Sequence, residues 1–212
     1  MGYDIEDARS DEYWDQITEE LYPEFKEQAI EEFTTERLQS IYLKAPDILS
    51  PGIRMYVEAR KLKDNHPSAA VVFAASAIEL FLKSSLLKPV VNGLVHIETL
   101  AELVAKVALG STGFIRYRKL LSGLFSEIAC IDINTIKRSG SKKLILDEAS
   151  EVQDKRNLII HKGLEVDNND AKFAINVAYG VLHQIVNPML LAIGLEMDSK
   201  GIVLERKFNR LF

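Results

Sequence analysis

A short stretch in the C-terminal third of the chain, residues 151–163, reads EVQDKRNLIIHKG and brings together three side chains suited to phosphate chemistry. On a helix, Asn157 and His161 lie four residues apart and share a face, and the long side chain of Arg156 can reach around to them. Histidine exchanges protons near neutral pH, and a guanidinium forms two hydrogen bonds with phosphate oxygens. The stretch therefore favours chemistry at a phosphate, with Asn157 orienting a group or holding the helix geometry.

A helix C-terminus would explain the same residues without any chemistry. Arginine and histidine near the end of a helix interact favourably with its dipole, and Gly163 is a natural C-cap. The spacing of Arg156 and His161 alone is expected by chance in roughly one such sequence in five, and an Asn directly after the Arg lowers this to about one in a hundred. The surrounding elements are needed to weigh the two interpretations.

Length and composition indicate an ordinary globular chain. Domains usually contain about 100–200 residues, so a chain of 212 residues can bury one core, or one core with an appendage, and we expect one domain with an N-terminal extension. Hydrophobic residues make up 47% and charged residues 27% of the chain, which is typical of globular proteins. The single cysteine, Cys130, indicates a reducing compartment and excludes a disulfide framework or a cysteine-based zinc site.

We expect a cytoplasmic protein with no membrane segment. The first residues lack both the basic and the apolar segment of a secretory signal. Residues 69–82 are apolar but too short for a span of about 20 residues, and they include Glu79. Residues 175–195 carry His183 and Pro188 within their apolar run. Both stretches are better interpreted as buried helices.

Charge is unevenly distributed along the chain. The first 36 residues contain 13 acidic and 2 basic side chains, whereas the remainder contains 18 acidic and 24 basic ones. An acidic helical extension, residues 1–50, therefore precedes a mildly basic body. The extension is either a solvated amphipathic helix or an arm that lies across the basic surface and competes with a polyanion for it.

Helical periodicity is nearly continuous, and strand alternation is scarce. The pattern predicts an all-α fold, a four-helix bundle within residues 51–195. It also predicts a helical insertion at about 94–146, a C-terminal tail at 196–212, and no sheet of more than two strands. The four bundle helices are predicted over residues 51–65, 67–88, 147–162 and 169–195.

The stretch RNLIIH, residues 156–161, resembles the R-N-x-x-x-H motif of HEPN domains, a helical ribonuclease superfamily found in toxins, antiviral systems and RNA-processing enzymes. The preceding apolar helix at 68–89, with its A-x-E-x-x-L-K pattern, is also similar to that group, as is the placement of the motif on the third core helix. The resemblance covers about residues 51–195. It does not explain the first 50 residues or the basic loop of the insertion.

The resemblance implies a homodimer in which two motifs face each other across a cleft and cut RNA without a metal or other cofactor. RNA supplies its own nucleophile, the 2′-hydroxyl, so the site needs a proton acceptor or donor and a positive charge at the phosphate. Arg156, Asn157 and His161 would be the catalytic residues, leaving a 2′,3′-cyclic phosphate. Such an enzyme would act as a defence or toxin effector, a role that fits a neutralising or regulatory protein partner.

The densest basic loop surrounds Ser139 and is a candidate for substrate binding. Its four cations could follow an RNA backbone, or they could belong to a plain solvated loop. They are Lys137, Arg138, Lys142 and Lys143.

Two further groups could support the site. Glu79 either contacts the active site or pairs with Lys83 one turn away. Asn176, Tyr179 and His183 form a polar stripe on the last helix, which lies either at the dimer cleft or in a core or subunit interface. A non-catalytic HEPN-like module that binds RNA, nucleotides or protein is the alternative function, although the intact Arg, Asn and His favour the enzyme.

Overall fold

The computed structural model describes residues 35–87, Ser122, Ser126 and 131–206. The acidic stretch before residue 35 and most of the predicted insertion lie outside the described residues. The described part is mostly helical and contains one two-stranded sheet, which confirms the prediction of a helical fold with no larger sheet for this part of the chain. None of its helices has the length and apolar character needed to cross a membrane.

Two helical runs contain both α-helical and π-helical hydrogen bonding. Helix α3 continues into the π-helical segment π1, and the π-helical segment π2 joins α5 to α6. The helices are α1 Thr35–Lys44, α2 Ser50–Leu62, α3 Pro67–Glu79, π1 Leu80–Leu87, α4 Ile145–Lys162, α5 Asn168–Val181, π2 Leu182–Val186 and α6 Asn187–Ala192. The strands β1 Leu195–Met197 and β2 Val203–Glu205 form an antiparallel hairpin.

Helix α3 is the centre of the fold because it is apolar on nearly every side. It packs against α2, α4 and α5, and α5 also contacts α2 and α4. Its buried alanines, including Ala70, Ala74 and Ala77, are small enough for neighbouring helices to approach closely. The other three helical runs predicted for the bundle therefore contact α3, and the bounds of all four differ from the predicted ones by only a few residues.

Residues that the sequence assigned to the extension and the tail belong to the same compact unit as these helices, which begins at Thr35. Leu38 and Tyr42 of α1 are fully buried, and α1 contacts β2. The Val203 N–H donates a hydrogen bond to the Pro46 carbonyl at 2.7 Å, and the Gln39 side chain donates to the Ile193 carbonyl at 2.6 Å. Helix α1 and the hairpin thus cover one part of the core.

Single residues at the helix ends determine where α4 ends and where α5 begins. Gly163 adopts a left-handed conformation with φ of 65° and ends α4, as its sequence position predicted. Asp167 caps α5 by accepting hydrogen bonds from the backbone N–H groups of Asn169 and Asp170, both at 2.9 Å. The Asp170 N–H, followed by that of Asn169, holds the pKa of the Asp167 carboxyl below its ordinary value. The connection between α4 and α5 is therefore short and well defined.

Close packing at Gly52 gives a first prediction. A Cβ atom there would lie 2.5 Å from Cε1 of Phe81, a fully buried ring that cannot move away cheaply. At Gly180 the nearest obstacle is the flexible tip of Ile145, at 2.9 Å. Gly52→Ala is expected to lower the free energy of unfolding by about 1–3 kcal/mol. Gly180→Ala is the matched control, since its helix-propensity gain of about 0.5–1 kcal/mol offsets a smaller clash. Equal stability of the two variants in urea denaturation would contradict the packing described here.

Candidate functional site

The R-N-x-x-x-H residues lie on the last two turns of α4. His161 is exposed in the final turn, and Arg156 and Asn157 are half-buried one turn earlier. Directly after the motif, the Gly163 N–H donates to the Ile159 carbonyl at 3.1 Å and the Leu164 N–H donates to the Leu158 carbonyl at 3.3 Å. These two bonds close the helix end, so the backbone beneath His161 is fixed while its imidazole remains open to solvent.

Arg156 and Asn157 are joined by a hydrogen bond. Arg156 Nη1 donates to Asn157 Oδ1 at 2.9 Å. In the described part of the chain Arg156 makes no ion pair and no other side-chain hydrogen bond, although a guanidinium has five donors. Asn157 therefore orients one edge of the guanidinium, and the remaining donors are available to a ligand.

Asn157 and His161 of the motif face away from α5. Lys155 forms an ion pair with Asp170 of α5, so its direction marks the side of α4 that meets that helix. At about 100° per residue, Asn157 and His161 lie about 120–160° around the helix from Lys155 and only about 40° from each other. His161 makes no hydrogen bond or ion pair within the described residues. The Asn157–His161 face is therefore not covered by α5.

Apolar side chains border this polar set. Leu158, Ile160 and Leu164 are 39%, 47% and 39% exposed, although all three are large aliphatic residues. They lie beside the motif at the C-terminal end of α4 and in the residues after it. Such partly exposed aliphatic side chains beside Asn157 and His161 would lose contact with water if a second molecule covered this end of α4.

Arg138, predicted to contact substrate, is engaged with a buried carboxylate. Its Nε donates to Glu148 Oε2 at 3.1 Å and its Nη2 donates to Glu148 Oε1 at 3.0 Å. Ser141 Oγ donates to the same Oε1 at 2.6 Å. Glu148 is only 2% exposed, and the guanidinium also lies 5.8 Å from the ring centroid of Phe173. The structure therefore gives Arg138 a role in neutralising Glu148 and anchoring the basic loop, which the sequence did not predict.

The three lysines of the basic loop are all exposed, but their surroundings differ. Lys143 pairs with Glu151, whose carboxylate raises the pKa of the ammonium group. Lys137 and Lys142 make no ion pair within the described residues. The backbone around them is held by a bridge between Lys137 and Leu144. Of the predicted substrate-binding residues, Lys137 and Lys142 are thus the two whose charges are not engaged by a carboxylate in the described part.

Glu79 forms the ion pair with Lys83 that was one of its two expected roles. Lys83 Nζ lies 2.7 Å from Glu79 Oε1, and the two residues are one turn apart. Within the described part of the chain, no hydrogen bond or ion pair joins Glu79 to the motif.

The polar stripe on α5 and π2 points toward α2 rather than toward the motif. The ring centroid of Tyr179 lies 4.1 Å from that of His183 and 6.4 Å from that of Tyr56 on α2. Burial lowers the pKa of His183. No ring contact, hydrogen bond or ion pair among the described residues links Tyr179 or His183 to Arg156, Asn157 or His161. Within one copy of the chain, the stripe and the motif are therefore separate features.

A pocket of about 390 Å³ lies between α2 and α5, and we call it the α2–α5 groove. Sequence reasoning missed it because its residues come from two helices far apart in the chain. Only the stripe on α5 gave a signal. The groove is lined by Tyr56, Arg60, Lys63, Lys172, Ile175, Asn176 and Tyr179.

Comparisons of the chain with protein-family models, curated proteins and solved structures found no match. Among the described residues, no group of three or more His, Cys, Asp or Glu side chains is placed to hold a metal ion. Support for a function therefore comes from the residues of α4 and their geometry.

Proposed function

We propose that this chain is a HEPN-like endoribonuclease that cuts RNA without a metal, by attack of the RNA's own 2′-hydroxyl. The observation that carries the proposal is the arrangement at the end of α4. There a half-buried arginine, held by Asn157 and without an ion-pair partner in the described part, lies five residues before an exposed histidine on the same helix. The helix dipole explains a histidine in the last turn. It does not explain why Asn157 orients a guanidinium that no described carboxylate neutralises.

His161 and Arg156 each have a defined task in this reaction. The imidazole of His161 accepts the proton of the 2′-hydroxyl as that oxygen attacks the adjacent phosphorus. Arg156 donates hydrogen bonds to the phosphate oxygens and stabilises the negative charge that develops on them. The bond between phosphorus and the 5′-oxygen of the next nucleotide then breaks. The products are a 2′,3′-cyclic phosphate and, after protonation of the leaving oxygen, a 5′-hydroxyl.

A homodimer would complete the site. With two motifs facing one cleft, the second His161 supplies the proton that the leaving 5′-oxygen requires. The exposed Leu158, Ile160 and Leu164 support this arrangement, because apolar side chains around an exposed motif become favourable when a second copy covers them. A defence or toxin role in the cytoplasm, with a neutralising or regulatory protein partner, is part of the proposal through the resemblance to HEPN domains.

A non-catalytic HEPN-like module is the second candidate function. The α2–α5 groove favours it, because a groove that combines cations and tyrosines is suited to bind RNA or a nucleotide without any cleavage. A protein of this kind would bind RNA and leave it intact.

The proposed function is tested by incubating the purified full chain with total RNA in EDTA, using Arg156→Gln against Lys155→Gln. Both changes remove one positive charge from adjacent positions, but Lys155 faces α5 and pairs with Asp170. Arg156→Gln is expected to slow cleavage by about a hundredfold or more, because the charge at the phosphate is lost. Lys155→Gln should retain cleavage, since a half-exposed ion pair contributes about 1 kcal/mol or less to stability. Equal rates for the two variants would reject the proposed role of Arg156.

The basic loop provides a separate prediction about substrate binding. Replacing Lys137 and Lys142 together with glutamine is expected to weaken RNA binding and to make it less dependent on salt. For single-stranded RNA, each lost phosphate contact should reduce the slope of log K against log salt by about 0.7. The control replaces Lys61 and Lys200, two exposed lysines outside the loop. An unchanged slope in the loop variant, measured by fluorescence anisotropy at several salt concentrations, would mean that the loop is only solvated.

A further inference from the structure

The charged residues that line the α2–α5 groove are all positive in the described part of the chain. Of the seven described residues that line it, three are cations, Arg60, Lys63 and Lys172, and none is a carboxylate, although the whole chain has a net charge of −5. Lys172 makes no ion pair within the described residues. Lys63 reaches only its sequence neighbour Asp64, at 3.8 Å. Clefts lined by charges of one sign concentrate ions of the opposite sign, so this groove attracts an anion.

Aromatic rings form one wall of the same groove. Tyr56 and Tyr179 line the groove, with ring centroids 6.4 Å apart, and the ring of His183, which is not a lining residue, lies 4.1 Å from that of Tyr179. Tyr179 is 51% exposed, so much of its ring surface is open to a ligand. Stacking of a base on an aromatic side chain contributes about 1–3 kcal/mol per base. The wall therefore suits a flat, aromatic ligand group.

Polar groups beside the rings add hydrogen-bonding capacity. Burial raises the pKa of the Tyr56 hydroxyl, while the nearby Arg60 opposes that shift. The Arg60 guanidinium lies 5.8 Å from the Tyr56 ring centroid, so the aromatic and cationic parts of the groove are adjacent. The amide of Asn176 supplies both a donor and an acceptor. Charge, stacking surface and amide thus occur within one pocket.

We propose that the α2–α5 groove binds a nucleotide, with its phosphate held by Arg60, Lys63 and Lys172 and its base stacked on Tyr179. A volume of about 390 Å³ is within the usual range for a small-molecule site, about 300–1,000 Å³. The nucleotide can be a free nucleoside phosphate or one unit of a single-stranded RNA, because both present a base and a phosphate. The groove is separate from the motif on α4, so this proposal does not depend on ribonuclease activity.

The test measures binding by the full chain carrying His161→Ala, so that RNA cleavage cannot interfere with any measurement. The two probes are AMP, followed by titration calorimetry, and a short fluorescent oligouridine, followed by anisotropy. Lys172→Gln and Tyr179→Ala are added separately, and Lys61→Gln is the matched control. Lys61 is also exposed and lies next to Arg60 on α2, but it pairs with Glu58 and does not line the groove.

Lys172→Gln and Tyr179→Ala are each expected to weaken binding of at least one probe about tenfold, and Lys61→Gln less than about twofold. Binding of AMP that Lys172→Gln weakens would identify a free nucleotide as the ligand of the groove, and binding of the oligouridine alone, weakened by Lys172→Gln, would identify an RNA strand. The absence of binding by both probes would overturn the proposal, as would equal effects of Lys172→Gln and Lys61→Gln. If Tyr179→Ala does not fold, Lys172→Gln decides the outcome, since its side chain is exposed.

Discussion

Replacing His161 with alanine is expected to reduce RNA cleavage by about a hundredfold or more and to leave the protein folded. Loss of a positioned proton acceptor typically costs a factor of about 10²–10⁴ in rate. The imidazole is exposed and has no hydrogen-bond or ion-pair partner in the described part of the chain. We therefore expect the free energy of unfolding to change by no more than about 1–2 kcal/mol. Cleavage rates and thermal melting curves of the two proteins measure both effects.

His66→Ala is the matched control for this prediction. His66 is an exposed histidine that precedes α3, and its side chain makes no capping hydrogen bond. The two substitutions remove the same group, so only a role specific to His161 can separate their effects on cleavage. Unfolding of the His161→Ala protein, or cleavage at the rate of the unmodified chain, would show that His161 serves the helix end rather than catalysis.

Arg138→Ala is expected to cause the largest loss of stability, about 3–5 kcal/mol in the free energy of unfolding. Glu148 is 2% exposed, and its two carboxylate oxygens each accept a hydrogen bond from the Arg138 guanidinium. Removing the arginine leaves a buried carboxylate without its charge partner, which is far more costly than removing an exposed ion pair. Urea denaturation measures this difference directly.

Two further variants separate the ion pair from other effects of the loop. Lys137→Ala, at the neighbouring exposed residue, should change stability by no more than about 0.5 kcal/mol. Replacing the pair together, with Arg138→Met and Glu148→Leu, should recover much of the loss, because no buried charge then remains. If Arg138→Ala is as stable as Lys137→Ala, Glu148 does not depend on Arg138 and the anchoring role is wrong.

Strong local signals made part of the fold predictable. Helix α3 is apolar on nearly all sides. A helix of this kind must be covered by other elements on every side, so the sequence alone predicts its central position. Gly163 ends α4 because it adopts the left-handed conformation that glycine tolerates best. The hairpin was not predicted, since strands of three residues are too short to show alternation. The burial of α1 was hidden because an amphipathic helix has the same pattern in an extension and against a core.

In the candidate site, too, features set by neighbouring residues in the sequence were predictable, and contacts between distant parts of the chain were not. The spacing of Asn157 and His161 placed both on one face of a helix, which is the geometry that the structure has. The pairing of Arg138 with Glu148 was not predicted, because Glu148 reads as a favourable first-turn carboxylate of α4 and its burial depends on packing. The α2–α5 groove required two distant helices to come together, and periodicity within one helix cannot show such a pairing.

The most direct test of the proposed function is the chemistry of the RNA ends produced by the purified full chain in EDTA. Attack by the 2′-hydroxyl predicts a 2′,3′-cyclic phosphate on one product and a 5′-hydroxyl on the other, with the same ends whether or not divalent ions are present. Mass spectrometry of a short RNA of defined sequence distinguishes these ends from a 3′-hydroxyl and a 5′-phosphate. The latter ends, or an RNA that stays intact in EDTA, would contradict metal-independent cleavage by Arg156, Asn157 and His161.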